Sequence, residues 1–246
     1  MPAAAFSYPR VFAHRCGGAL APENTLAGLR IAAALGCRAV EFDVMLGASG
    51  TPYLVHDETW ERTTDGRGRV ADSPDEVIAA LDAGVRFGAA FAGERVPGFE
   101  QAARLCIELG LAANVEIKPS RGAERITGRV VAEAAQRLWA GAAPAPLLSS
   151  FSEEALEEAA RVAPELPRGL LCGAIPDDWV ERTRRLGCVS LHCDCLANDR
   201  RRIAGIAKRG TPVVCYTIND PAGAVALLAA GAAAVITDRP DLIREA

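Results

Sequence analysis

The chain has 246 residues, half of them hydrophobic, and a formal net charge of -4 at pH 7. That length allows one large domain or two small ones with a sizeable core, and the acidic balance argues against a surface that binds nucleic acid. No uninterrupted apolar stretch reaches the roughly 18 residues that a membrane span requires.

The N-terminus and the cysteines bear on the cellular compartment. Residues 1–10 carry no apolar run of the kind found in a signal peptide. The eight cysteines are scattered without a Cys-x-x-Cys pair, which argues against a zinc knuckle. Cys193 and Cys195 would share a strand face and could support a site, but we interpret the cysteines as small buried hydrophobes. We therefore expect a cytoplasmic protein.

The first predicted elements are a strand and a helix. A short apolar strand ends in the polar pair His14-Arg15. Asn24 or Thr25 offers the N-terminal cap of a helix, and Gly36 stops that helix.

The second predicted strand, residues 39–44, carries two carboxylates. Glu41 and Asp43 lie two positions apart, so they point to the same face of the strand. Two desolvated carboxylates this close repel each other unless a cation lies between them. A hard divalent cation would satisfy both, and a salt-bridged pair at a strand end is the alternative.

A hairpin and a long irregular segment come next. Residues 52–56 predict a return strand that ends at His56. Residues 57–96 contain loop signals, a helix start at Ser73-Pro74 and several glycines. Because a long irregular insertion in a compact domain usually has a function, we expect it to stand over the active face as a lid.

From residue 97 onward, helices and strands alternate regularly. The predicted helices cover residues 99–109, 123–139, 152–162, 176–186, 199–209 and 221–230, with a last short helix beginning at Asp238-Arg239-Pro240. The strands between them cover residues 113–118, 147–151, 169–172, 188–193, 213–218 and 233–237.

This alternation predicts the fold class. Eight βα units in about 250 residues are typical of an α/β protein with a (β/α)8 TIM barrel. A doubly wound open sheet is the alternative, but no Gly-x-Gly-x-x-Gly turn follows the first strand. We predict a single domain over residues 1–246, with the 57–96 insertion over its C-terminal face.

Titratable residues gather where a barrel places its active site, at the C-terminal ends of the strands. Those from the first three βα units are His14, Arg15, Glu41, Asp43, His56, Glu116 and Lys118. Each alone fits a structural role, as a core histidine, a turn or an ion pair. Together they predict a site, because aliphatic side chains usually fill a barrel interior. His192, at the end of the sixth strand, could also reach the mouth, and its role is open.

The residue types in this set indicate a reaction class. Three carboxylates make an oxygen site for one divalent cation, Mg²⁺ or Ca²⁺. Arg15 and Lys118 supply fixed positive charge for an anionic phosphoryl group. His14 and His56 can act as general base and general acid. The combination predicts metal-assisted hydrolysis of a phosphate ester.

Short motifs in a fixed order extend over almost the whole chain. They are His14-Arg15-Cys16-Gly17, Pro22-Glu23-Asn24-Thr25, Glu41-Phe42-Asp43-Val44, Val55-His56-Asp57, Arg62-Thr63-Thr64, Asn114-Val115-Glu116-Ile117-Lys118, Ser150-Phe151, Thr217-Ile218-Asn219 and Ile236-Thr237-Asp238-Arg239-Pro240. In this order they resemble the glycerophosphodiester phosphodiesterase family, in its bacterial cytoplasmic form.

The resemblance implies a role for each predicted site residue. It implies that Glu41, Asp43 and Glu116 are metal ligands. It implies that His14 and His56 are acid/base residues, and that Arg15 and Lys118 bind the phosphate. It further implies that His56 protonates the leaving alcohol and that His14 acts as the base. The implied substrates are small glycerophosphodiesters, cleaved to glycerol 3-phosphate and an alcohol.

Two positions depart from the family pattern. Cys16 stands where the family usually has glycine, and we expect it to add bulk beside the phosphate and to bring a thiol near the metal. Tyr216 stands where the family often has tryptophan, which would alter the wall of the substrate pocket.

The sequence is also compatible with two other functions. A phosphodiesterase of the same fold could act on lysophospholipids or glycerophosphoinositol, but the few aromatic residues of the insertion favour smaller substrates. A non-catalytic barrel could bind a phosphodiester without cleaving it, but both histidines are present. The sequence predicts no oligomeric state.

Overall fold

The computed structural model describes residues 6–244, which contain nine strands and eight α-helices. The strands are β1 (Val11–Ala13), β2 (Ala39–Leu46), β3 (Pro52–Leu54), β4 (Ala112–Ile117), β5 (Leu147–Ser150), β6 (Arg168–Cys172), β7 (Ser190–Asp194), β8 (Val213–Tyr216) and β9 (Ala234–Thr237). The helices are α1 (Leu26–Ala34), α2 (Asp75–Ala80), α3 (Phe99–Leu109), α4 (Glu124–Leu138), α5 (Glu153–Val162), α6 (Trp179–Leu186), α7 (Arg200–Ala207) and α8 (Pro221–Ala229). The signal-peptide expectation falls partly on residues 1–5, outside this range.

Eight parallel strands close into a barrel. They pair in the order β1, β9, β8, β7, β6, β5, β4 and β2, and β1 also pairs with β2 through Ala13 and Val40. The short β3 adds to β2 in antiparallel fashion, as the predicted hairpin requires. The (β/α)8 prediction is confirmed and the open sheet is excluded, since β1 pairs with a strand on each side.

Capping residues explain where several helices begin. The side chains of Thr25, Ser152 and Asp220 each accept a hydrogen bond from a backbone N–H three residues further on, in α1, α5 and α8. At the other end of α3, Gly110 adopts the left-handed conformation that ends many helices, with φ 68°.

Two predicted helix boundaries are wrong. The helix expected from Pro176 begins at Trp179, because the side chain of Asn198 bonds Ile175 N and Gly173 O and holds the preceding loop in an irregular shape. The short helix expected after Asp238 is a single turn, in which the amides of residues 242 and 243 both bond Arg239 O.

Apolar side chains fill the lower part of the barrel. Phe12, Ala39, Ala112, Val214, Ala234 and Ile236 form one buried cluster there. Alternate residues of the same strands face outward and pack against the helices, as with Val213 and Cys215 of β8. The interior also holds the buried polar pair Ser190 and His192.

The 57–96 insertion has a small hydrophobic core of its own. Trp60 is fully buried there with Val70 and Ile78, and these pack against Met45 and Tyr53. The segment also bonds to the start of α1, where Ala27 N donates to Glu94 Oε1 at 3.0 Å. The insertion is therefore a packed unit rather than a loose loop. None of the helices in residues 6–244 is long and apolar enough to cross a membrane.

Candidate active site

Three carboxylates converge at the upper end of β2 and β4. Asp43 and Glu116 are Cα partners on the two strands, and Glu41 precedes Asp43 on the same face. One oxygen from each lies within 4.8 Å of the others, and all three side chains are buried. Within residues 6–244, this is the only group of three or more such side chains arranged so that it could hold a metal ion. The predicted convergence of these residues is confirmed.

The carboxylates differ in their preferred charge state. Burial and the nearby Asp43 charge raise the pKa of Glu41 to about 7, and burial raises the pKa of Glu116 well above its usual value. Burial also opposes ionisation of Asp43, but Lys118, His56 and other polar neighbours hold its pKa below the ordinary value. Ionisation of Glu41 and Glu116 is therefore disfavoured unless further positive charge enters the cluster.

Lys118 and Arg15 approach this cluster from two sides. Lys118 Nζ lies 3.4 Å from Asp43 Oδ1 and 3.6 Å from Glu116 Oε1. Arg15 Nε lies 3.9 Å from Asp43 Oδ2, while Arg15 Nη1 donates to both oxygens of Glu23 at 3.0 and 3.1 Å. Both cations therefore form long ion pairs with Asp43, at 3.4 Å for Lys118 and 3.9 Å for Arg15.

The loop after β1 adopts an uncommon backbone. Arg15, Cys16 and Asn24 have φ values of 47°, 77° and 56°, in the left-handed region that most side chains avoid. The loop also packs tightly on α1, because a Cβ on Gly17 would lie only 2.8 Å from Gly28 Cα. Such strain is concentrated at functional sites.

This backbone directs polar groups of the loop at β2. The amide of Arg15 donates to Glu41 Oε2 at 3.0 Å. The Asn24 side chain donates to Asp43 Oδ2 at 2.9 Å and accepts from the Asp43 amide at 3.1 Å. The loop therefore holds two of the three carboxylates in place.

The expectation that Cys16 adds bulk beside the phosphate is wrong, whereas the nearness of its thiol to the metal site stays a prediction. Its side chain is fully buried in the core cluster that contains Leu29 and Phe42, and it does not line the cavity. Burial raises the pKa of its thiol well above the usual value. The positive φ of Cys16 explains why glycine would suit this position, and the thiol adds no bulk beside a bound phosphate.

Each of the two predicted catalytic histidines contacts an aspartate. His14 Nδ1 lies 2.6 Å from Asp238 Oδ1, and His56 Nδ1 lies 2.7 Å from Asp57 Oδ1. Because an ionised carboxylate only accepts hydrogen bonds, each Nδ1 carries the proton and each Nε2 remains available. Both rings line the same cavity.

The surroundings shift the two histidines in opposite directions. Burial lowers the pKa of His14, but the hydrogen bond to Asp238 and the Glu41 charge outweigh it, so the net shift is upward. Burial dominates at His56 and lowers its pKa despite the Asp43 charge. In the metal-free protein, His14 is thus the more readily protonated of the two.

These side chains surround a cavity of about 170 Å³. All seven predicted site residues line it, together with Asn114, Phe151, Leu171, Tyr216, Thr217 and Ile236. Phe151 and Tyr216 meet edge to face, with ring centroids 6.2 Å apart. The position that departs from the family pattern, Tyr216, is therefore part of the pocket wall.

His192 does not line this cavity. It is fully buried in the barrel interior, where its Nε2 lies 2.9 Å from Ser190 Oγ. The ring covers Gly169, at which an added Cβ would lie 2.4 Å from the same nitrogen. Burial lowers the pKa of His192 to about 3, so the ring stays neutral, and the suggestion that it reaches the mouth is wrong.

Several polar partners in the site were not predicted as site residues. They are Glu23, Asn24, Asp57, Asn114 and Asp238. Asp57 and Asp238 directly follow His56 and Thr237, at or just after the ends of extended segments. A carboxylate in that position was the available signal, since such groups lie at the face where barrel enzymes place their chemistry.

Comparison with known proteins agrees with this geometry. Residues 14–242 match the model of the glycerophosphoryl diester phosphodiesterase family. The chain is 32% identical over 241 residues to the glycerophosphodiester phosphodiesterase of Caldanaerobacter subterraneus subsp. tengcongensis, with 95% of each chain covered.

Solved structures of phosphodiesterases also resemble this chain. An Oleispira antarctica phosphodiesterase in complex with the product sn-glycerol-3-phosphate is 37% identical, with a TM-score of 0.91, and the match covers 95% of this chain and 94% of that one. The glycerophosphodiester phosphodiesterase of Agrobacterium tumefaciens is 27% identical, with a TM-score of 0.76 and coverage of 95% and 97%. The chain belongs to the glycerophosphoryl diester phosphodiesterase family.

Proposed function

We propose that this protein hydrolyses glycerophosphodiesters to glycerol 3-phosphate and a free alcohol, with the help of one divalent cation. The observation that carries the proposal is the set of three buried carboxylates with two cations and two histidine–aspartate pairs around a single cavity. The product complex of the Oleispira antarctica relative supports the identity of the product.

The carboxylate cluster fits a hard cation. Glu41, Asp43 and Glu116 would hold Mg²⁺ or Ca²⁺, because both metals prefer oxygen ligands. The upward pKa shifts of Glu41 and Glu116 support this assignment, since burial and the Asp43 charge disfavour their ionised forms and a bound cation would offset that cost. When bound, the cation supplies a Lewis acid for the phosphoryl oxygens.

Arg15 and Lys118 would bind the phosphodiester anion. Both line the cavity, and their ion pairs with Asp43 are long, at 3.4 Å for Lys118 and 3.9 Å for Arg15. An arginine and a lysine on two sides of the phosphorus would hold the ester in place and stabilise charge that develops on its oxygens.

The two histidines would divide the proton transfers. Following the family resemblance, we assign the protonation of the leaving alcohol to His56 and the role of base to His14. In the metal-free protein, the pKa shifts of both rings run against this assignment. Neutralisation of Glu41 would remove one of the charges that raise the pKa of His14, and so would favour the neutral form that a base requires.

The glycerol side of the substrate would be recognised more strictly than the alcohol side. We propose that the glycerol hydroxyl next to the phosphate attacks phosphorus, with His14 accepting its proton, and displaces the alcohol, which His56 protonates. The resulting cyclic phosphate is then opened by water. We propose that small glycerophosphodiesters are preferred over lysophospholipids or glycerophosphoinositol, because the 57–96 insertion carries few aromatic side chains that could hold a lipid chain. We also propose that the 57–96 insertion stands over the C-terminal face, as part of a single domain.

Hydrolysis of a panel of glycerophosphodiesters, with and without EDTA, tests the proposal. We expect glycerol 3-phosphate as the common product, loss of turnover in EDTA, and recovery on addition of Mg²⁺ or Ca²⁺. Full turnover in metal-stripped protein would overturn the metal assignment. Absence of turnover with every substrate and both metals would leave a binding protein instead.

A further inference from the structure

Arg62 connects two carboxylates at the edge of the active site. Its Nε and Nη2 donate to Asp57 Oδ2 and Oδ1 at 2.5 and 3.0 Å. Its Nη1 and Nη2 donate to Glu23 Oε2 and Oε1 at 2.6 and 2.8 Å. One guanidinium group from the 57–96 insertion therefore forms bidentate hydrogen bonds with each of the two carboxylates.

Each of these carboxylates in turn holds a predicted functional group. Asp57 Oδ1, which accepts from Arg62, also contacts His56 Nδ1 at 2.7 Å. Both oxygens of Glu23 accept from Arg15 Nη1. A continuous chain of polar contacts thus runs from His56 through Asp57, Arg62 and Glu23 to Arg15.

We propose that Arg62 is a positioning residue that orients the His56 ring and the Arg15 guanidinium together, through Asp57 and Glu23. The inference rests on the proposed function, because it assigns those two groups to catalysis and phosphate binding. The proposal gives the insertion a specific function, because its Arg62 would align His56, a proton-transfer residue, with Arg15, a phosphate-binding residue.

The geometry favours this role over that of an ordinary surface ion pair. Arg62 is 47% exposed, and ion pairs at such exposure contribute little to folding stability. Planar guanidinium can bind two carboxylates at fixed angles, which the single ammonium group of lysine cannot do. By contrast, Arg69 in the same insertion is 51% exposed and pairs only loosely with Glu58, at 3.9 Å.

Arg69 therefore provides a matched control for kinetic measurements. We expect Arg62→Gln to lower kcat/KM by about 10- to 100-fold, as for other residues that orient functional groups. In Arg62→Gln we expect kcat to fall through the effect on His56. We expect KM and the inhibition constant of glycerol 3-phosphate to rise through the effect on Arg15. Arg62→Lys should recover less than a third of this loss, and Arg69→Gln should match the unmodified protein. Thermal midpoints of all three variants should stay within a few degrees of the unmodified protein.

Double-mutant cycles test the connection itself. If Arg62 acts through Asp57, the effect of Arg62→Gln on kcat should largely disappear in an Asp57→Asn background. The effect on KM should likewise disappear in a Glu23→Gln background. Additive losses in both cycles, or losses from Arg62→Gln no larger than those from Arg69→Gln, would overturn the proposal.

A spectroscopic measurement separates this inference from the proposed function. Nitrogen chemical shifts of the His56 ring report whether Nδ1 carries the proton and whether one tautomer dominates. Because Asp57 would no longer be held against the ring, we expect a single Nδ1–H tautomer in the unmodified protein and a mixture in Arg62→Gln, with or without hydrolysis of any substrate. An unchanged tautomer in Arg62→Gln would refute the positioning role, whereas failure of the unmodified protein to turn over glycerophosphodiesters would refute only the proposed reaction.

Discussion

The His14 ring lies between two carboxylates from distant parts of the chain. Its Nδ1 is 2.6 Å from Asp238 Oδ1, and its Nε2 is 3.9 Å from Glu41 Oε2. Asp238 therefore fixes the tautomer, while Glu41 couples the charge of the ring to the state of the proposed metal site. The ring cannot titrate independently of that site.

The division of proton transfers can be tested with the leaving group. A nitrophenol needs little protonation as it departs, so His56→Ala should lose far less activity on a nitrophenyl ester than on glycerophosphocholine. His14→Ala should lose about 10²- to 10⁴-fold on both substrates, as expected for the loss of a general base. Steady-state kinetics of both variants on both esters provide the measurement. Equal losses by His56→Ala on the two substrates would refute the assignment.

Metal affinity should depend on pH through Glu41. Its pKa is raised from the ordinary carboxyl range to about 7, so the folded protein holds a proton there at pH values where the unfolded chain has lost it. A cation must displace that proton, and this group alone should make the affinity for Mg²⁺ or Ca²⁺ rise about tenfold between pH 6 and pH 8. Calorimetric titration would measure this, together with proton release at the lower pH. In the Glu41→Gln variant, the part of the pH dependence due to this group should disappear.

Substitutions of the carboxylates should affect stability with opposite signs. Asp43 has a lowered pKa, so its ionised form stabilises the fold at neutral pH, and this contribution is lost as the pH falls through its folded-state pKa. Asp43→Asn should therefore destabilise the metal-free protein. Glu116 has a raised pKa, so its ionisation opposes folding, and Glu116→Gln should raise the metal-free thermal midpoint by about 2–4 °C.

Activity should fall in every case, because each substitution removes a proposed metal ligand. Replacement of Glu41, Asp43 or Glu116 by alanine should abolish turnover while the fold is retained. Thermal melts in EDTA and activity assays with added metal give the two measurements. A Glu116→Gln protein that melts lower than the unmodified protein in EDTA would contradict the charge argument.

Participation of the neighbouring hydroxyl can be tested on the substrate. We expect glycerophosphocholine to turn over at least a hundredfold faster than its analogue that lacks the hydroxyl next to the phosphate, since attack from within the substrate is strongly favoured over a bimolecular step. Exchange of choline for ethanolamine or glycerol should change the rate much less. Comparable turnover with and without the hydroxyl would leave a less selective phosphodiesterase.

Local signals in the sequence predict much of the fold. The caps at Thr25, Ser152 and Asp220 and the span of α3 are confirmed, because capping and helical periodicity depend on neighbouring residues. The boundary at Trp179 is not predictable in this way, since it depends on Asn198 from another loop.

The same distinction applies to the site. Glu41 and Asp43 share a face because a strand alternates, and this follows from their spacing alone. The pairing of His14 with Asp238 spans 224 positions, and it exists only because the barrel closes. The direction of Cys16, toward the core rather than the phosphate, depends on a left-handed backbone that its residue type does not suggest.

Closure of the barrel between β1 and β9 has a consequence for biosynthesis. β2 and β4 supply all three proposed metal ligands early in translation, whereas Asp238 follows the last strand. A ribosome-bound chain that lacks β9 therefore carries the ligands without the partner that orients His14. Hydrolysis would begin only when that strand has emerged and paired with β1. The onset of enzyme activity in a translation reaction would therefore report when the barrel is complete.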